Sequence, residues 1–130
     1  MGKTIKEIYG WDLIKDPETN LLKHVNDILL KTPMELDVSD VGLMVRQEIF
    51  LDLAIPKAIS FVKNDSSAGD HPYQLLENLS KLPYLSNYKN EIKVLLKTLE
   101  AELPNIEFEL DEEKDDFCES LERLRRVLNK

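Results

Sequence analysis

Ser39-Asp40-Val41-Gly42-Leu43-Met44-Val45-Arg46-Gln47-Glu48-Ile49-Phe50-Leu51-Asp52-Leu53-Ala54-Ile55-Pro56-Lys57-Ala58-Ile59-Ser60-Phe61-Val62 decides the fold. Ser39-Asp40 reads as a helix cap, and Val41, Met44 and Val45 recur at helical spacing to give one buried face. The run from Ile49 to Ile55 is the most apolar in the chain, and Pro56 interrupts it. Proline has no N–H for the preceding turn, so two helical pieces meeting at Ile55-Pro56 are expected. The second continues through Ile59, Phe61 and Val62 as a central buried helix.

Working outward, the same grammar repeats. Thr4-Ile5-Lys6-Glu7 is a capping-box pattern, with Ile5 and Ile8 facing one way, Gly10 as a stop and Trp11 as a core anchor. Asp16-Pro17 suggests a second start, followed by a stripe of Leu21, Leu22, Val25, Ile28 and Leu29 that Pro33 ends. After a polar loop, Asp65 to Asp70, His71-Pro72 opens a helix with Leu75, Leu76 and Leu79, and Pro83 closes it. Ser86 is placed to cap a longer helix with Tyr88, Ile92, Leu95, Leu96 and Leu99. Asn105 to Leu110 alternates apolar and acidic, which fits a short extended segment with Ile106, Phe108 and Leu110 inward. Asp111 caps a last helix, 111–129, whose buried face is Phe117, Leu121, Leu124 and Leu128. The expected fold is all-α, a compact single-domain bundle of about six to eight short helices over residues 1–130.

Length and composition agree. With 130 residues, 42% hydrophobic and 32% charged, the chain has enough apolar material for a core and needs no metal or disulfide. Cys118 stands alone, which excludes an internal disulfide and fits a reducing compartment. The first residues lack an apolar signal core, and no apolar stretch nears the ~20 residues of a spanning helix, so a cytoplasmic location is expected, with no membrane contact.

The net charge is −8, and it is unevenly placed. Residues 100–122 hold eleven acids against one base, Lys114, whereas residues 1–99 are nearly neutral and the last eight residues are basic. No basic face is evident, which argues against direct nucleic-acid binding. An acidic patch suits a basic protein partner. The plainer reading is a solvated helix whose acids precede its arginines, as the helix dipole favours.

The sequence offers no catalytic constellation. His24, His71 and Cys118 lack metal-ligand spacing, so no metal site and no cofactor are expected. Cys118 reads as a half-buried thiol beside Phe117. Asp111, Glu112, Asp115, Asp116 and Glu119 cluster at helical spacing but lack the central glycine of a calcium loop, and their positions look exposed. An enzyme is not expected.

The cadence from Asp37 to Val62, with Val45-Arg46-Gln47 and Ile55-Pro56-Lys57-Ala58, leads to Tyr73-Gln74-Leu75-Leu76. With the opening Lys3-Thr4-Ile5-Lys6-Glu7-Ile8-Tyr9-Gly10-Trp11, it resembles the helical immunity proteins of bacterial contact-dependent growth inhibition systems, over about residues 3–100. The resemblance implies a protein that binds and neutralises the C-terminal toxin domain of its own cognate exported protein. Such toxins are often nucleases, some with the ribonuclease A fold. It implies a 1:1 complex with a basic toxin domain.

A nuclease presents a basic groove, and carboxylates would stand where phosphates stand. Glu107, Glu109, Asp111, Glu112, Asp115 and Asp116 are the first expected contact surface, and the loop ends Asp65 and Asp70 the second. Arg46 and Gln47 read as structural. The alternative is a helical adaptor or regulatory module with no toxin partner; a toxin-encoding gene end immediately upstream separates the two.

Overall fold

The computed structural model describes residues 2–129. Among the described residues seven α-helices run in order: α1 (Ile5–Tyr9), α2 (Asn20–Leu29), α3 (Val38–Gln47), α4 (Leu51–Asn64), α5 (Gln74–Ser80), α6 (Lys89–Glu102) and α7 (Asp111–Leu128). Short 3-10 turns at Pro33–Glu35, Leu85–Tyr88 and Leu103–Asn105 link them, and there is no strand among the described residues. The all-α expectation holds.

One hydrophobic cluster draws residues from every helix, from Ile5 of α1 to Val127 of α7. α3 and α4 pack as a hairpin, α5 lies against both, and α7 closes the bundle over α5 and α6. Phe117, Leu121 and Leu124 are buried as expected, with Val127 beside them. Full burial of such a side chain contributes roughly 1.5–3 kcal/mol, so the inner face of α7 holds it to the bundle even though its outer face is charged.

The helix starts differ from the sequence reading in an instructive way. The capping box of α1 forms: Glu7 N–H donates to Thr4 Oγ1, and Thr4 N–H to Glu7 Oε1. Gly10 ends α1 at φ 67°. α2, however, begins at Thr19, whose Oγ1 accepts the Leu22 N–H at 3.1 Å; Asp16 lies before it in a left-handed turn, φ 51°. α3 is capped by Asp37, not Ser39: Asp37 Oδ1 accepts the Asp40 N–H at 2.8 Å. α5 starts after Tyr73 rather than at His71, and α6 grows out of the 3-10 turn that contains Ser86. Leu110 precedes α7, with Asp111 as its first residue.

α4 is one helix through Pro56, not two pieces. The missing N–H removes a bond only to the carbonyl of Asp52, an exposed residue in the first turn, where the helix tolerates the loss. The real break lies earlier, where Glu48 (φ 52°) and Phe50 (φ 50°) both take left-handed backbone and turn the chain from α3 into α4.

Trp11 is not a core anchor. It is 41% exposed and meets Phe50 edge-on at 4.7 Å, because the Gly10 turn carries the chain out of the core. Ile8 and Leu21 also face outward. Residues 105–110 form no strand; Ile106 and Phe108 pack inward, whereas Leu110 is exposed at the start of α7. Cys118 is exposed rather than half-buried.

Candidate functional site: an acidic edge around Tyr73

α7 repeats its apolar residues on one side, so its acids must fall on the other. Asp111, Glu112, Asp115 and Asp116 are all exposed, as are Glu107 and Glu109 on either side of the inward Phe108. Asp65 and Asp70 are exposed too. The acids of the first turn, Asp111, Glu112 and Glu113, face the positive end of the helix dipole.

An aromatic triad ties the loop to α7. Tyr73 lies 5.4 Å from Phe108 and 5.5 Å from Phe117, and Phe108 lies 5.6 Å from Phe117, in tilted and edge-on pairings. Tyr73 reaches this position with a left-handed backbone, φ 64°. Burial raises its phenol above the ordinary value, and the carboxylates of Glu113, Asp65 and Glu102 add to that rise. Asp65 and the start of α7, far apart in sequence, thus act on one side chain.

Asp70 belongs elsewhere. It lines a hollow with Ser39, Gly42, Arg46 and Gln74, and its N–H donates to Gln74 Oε1 at 3.0 Å. Asp65 is held locally, its Oδ1 accepting from the Ser67 N–H and hydroxyl. Arg46 and Gln47, expected to brace the fold, are exposed in the last turn of α3.

Sequence reasoning missed Glu113, Glu102 and Glu77. Glu113 stands four residues before Phe117 and seven before Ser120, a helical spacing that puts it on the flank of the buried face. That spacing was the available signal. Glu77 lines the groove beside Tyr73, which only the approach of α5 to α7 creates.

It also missed a buried polar cluster on the opposite elements. Asp40 is 2% exposed. Its Oδ1 lies 2.8 Å from His24 Nε2, and its Oδ2 accepts from Lys31 Nζ at 2.7 Å and from the Asp37 N–H at 3.0 Å. Burial pushes the Asp40 carboxyl up, but these three donors outweigh it and hold the group below its ordinary value. The cluster joins α2 to α3. Nearby, the Tyr9 hydroxyl donates to Asp52 Oδ1 at 2.7 Å, and burial and that carboxylate raise the phenol well above its ordinary value.

Among the described residues no three His, Cys, Asp or Glu side chains gather as a metal site, and no helix is long and apolar enough to cross a membrane. What the arrangement offers is a surface: exposed carboxylates on three elements around one aromatic group.

The sequence model of a family described as CDI immunity proteins matches residues 7–95, more than half of the chain. The chain belongs to the family of CDI immunity proteins, which act in contact-dependent growth inhibition by neutralising a toxin. Neither the curated proteins nor the solved structures gave a match. The family match runs from the end of α1 through the first half of α6, while α7 lies beyond it.

Proposed function

We propose that this protein binds the C-terminal toxin domain of its cognate contact-dependent growth inhibition protein and blocks it in the cytoplasm, without catalysis of its own. The partner is a basic domain, a nuclease acting on RNA or DNA, held in a 1:1 complex. Family membership carries the reading. The concentration of exposed acids at the start of α7 supports the choice of a basic partner. Glu107, Glu109, Asp111, Glu112, Asp115, Asp116 and Asp65 supply the contact surface, with Asp70 at its margin.

The physical reason is substitution of charge. A nuclease site neutralises phosphates with Lys and Arg, and a rigid helix bearing carboxylates meets the same groups without offering a scissile bond. The test is co-expression with the cognate toxin domain, co-purification, and a nuclease assay with and without this protein. Loss of nuclease activity at equimolar protein is expected. Full activity in the presence of excess protein contradicts the reading.

A further inference from the structure

We propose that the groove between α5 and α7 receives the guanidinium of one arginine side chain of the toxin; this rests on the reading of a basic partner given above. Tyr73 and Glu77 form one wall, and Glu113, Asp116, Phe117 and Ser120 the other. The last four share one face of α7, at spacings of three, four and seven from Glu113.

Three features point to a cationic guest. First, among the described residues neither Glu113 nor Asp116 is in an ion pair, although Glu119 and Glu122 further along the same helix are paired with Arg123 and Arg125. Glu77 is paired with Lys81 at 3.0 Å, but that pair is exposed and weak, free to exchange.

Second, Ser120 is only 1% exposed, and among the described residues its hydroxyl has no hydrogen-bond partner. A helical serine can turn back onto the carbonyl three or four residues earlier. Ser80 and Thr98 do turn back, onto Glu77 and Val94, but Ser120 does not. Among the described residues no fully sealed polar side-chain atom lacks a partner, so the Ser120 hydroxyl is not completely sealed, and Ser120 lines the groove.

Third, a ring stands beside the carboxylates. Tyr73 is partly exposed and is held edge-on, at 82° and 5.5 Å, by the buried Phe117 behind it. A guanidinium is flat, carries five donors and stacks on rings. Its N–H groups have Glu113, Asp116 and the Ser120 hydroxyl as acceptors. An ammonium would use the charge but not the ring face.

The consequence is partner specificity. One wall of the groove is α7, which lies beyond residues 7–95 matched by the family. A relative lacking these residues would not hold the same arginine.

The groove is tested without the toxin by titrating the full chain with Nα-acetyl-arginine amide and following amide shifts by NMR. Saturable shifts centred on Tyr73, Glu113 and Ser120 are expected, with the lysine analogue weaker. Glu113→Gln with Asp116→Asn is expected to weaken binding by ~10-fold or more, as charge-assisted hydrogen bonds are lost. Asp12→Asn with Glu18→Gln, two exposed acids away from the groove, lowers charge equally and is expected to leave it unchanged. Diffuse, unsaturable shifts, or equal binding by both double variants, overturn the proposal. Toxin binding is then measured on the same proteins. If the wild type does not bind the toxin domain, the partner reading fails while the arginine site stands on its titration. If it binds and the Glu113/Asp116 variant binds equally well, the groove does not hold a toxin arginine.

Discussion

The ammonium of Lys31 lies 2.7 Å from the Asp40 carboxylate, which is 2% exposed although Lys31 itself is a surface residue. The pair pins the loop after α2 to the first turn of α3, because Asp40 also accepts from the Asp37 N–H and faces His24. Lys31→Met leaves that buried carboxylate short of its strongest partner. A loss of about 3 kcal/mol is expected by urea denaturation, within the range for breaking a buried pair. Asp40→Asn keeps the shape and releases the partly exposed Lys31 ammonium to water, so a smaller loss of about 1–3 kcal/mol is expected.

The same cluster sets a pH dependence. The Asp40 carboxyl is held below its ordinary value in the folded chain, so its stabilisation is full above the unfolded value of about 3.9 and is lost as pH falls through the folded value. Lys31 is raised, chiefly by its bond to Asp40, so its contribution is full below about pH 10.4 and lost as pH rises through the folded value. Denaturation midpoints across pH 2–11 should therefore fall at both ends. In Asp40→Asn both limbs should flatten relative to wild type; unchanged limbs would show that the cluster contributes no linkage.

Gly69 holds φ +132°, and a Cβ there would lie 2.9 Å from Gln74 Cβ and 3.0 Å from the His71 carbonyl oxygen and the Leu75 nitrogen. Two of those neighbours are backbone and do not yield. Gly69→Ala is expected to cost about 1–3 kcal/mol. Because the loop delivers Tyr73 to α7, the variant should also weaken toxin binding, a paired loss readable by thermal melts and calorimetry.

Phe117 is fully buried and meets both Tyr73 and Phe108. Phe117→Ala is expected to cost about 3–5 kcal/mol in stability. Phe117→Leu keeps most of the volume and should cost clearly less, while still weakening the arginine amide titration because the ring that positions Tyr73 is lost.

Much of this architecture was legible from residues alone. The stripe Phe117, Leu121, Leu124 named the inner face of α7 because an 18-residue helix leaves little choice of register. The capping box at Thr4 and the stop at Gly10 were equally local signals. The errors share a cause. Ser39, Asp16 and Pro56 are sound signals in isolation, but neighbouring Asp37, Thr19 and the Glu48–Phe50 turn met the same backbone needs at positions set by packing. Trp11 was misread because size suggested burial, whereas Gly10 directs it outward. The acids were found because their excess is compositional. Their organisation around Tyr73 was not, since it depends on α5, α6 and α7 meeting, and only the folded chain fixes that.

The central claim is that the acidic edge of α7 meets a basic toxin. Calorimetric titration of the cognate toxin domain should be run on wild type and on the triple variant Glu112→Lys, Asp115→Lys, Asp116→Lys, at low and high salt. The three positions are exposed, and circular dichroism checks that the variant keeps its helix content. Affinity is expected to fall by ~100-fold or more at low salt, with the gap narrowing as salt screens the charges. Equal affinity of the two proteins at both salt concentrations would contradict it.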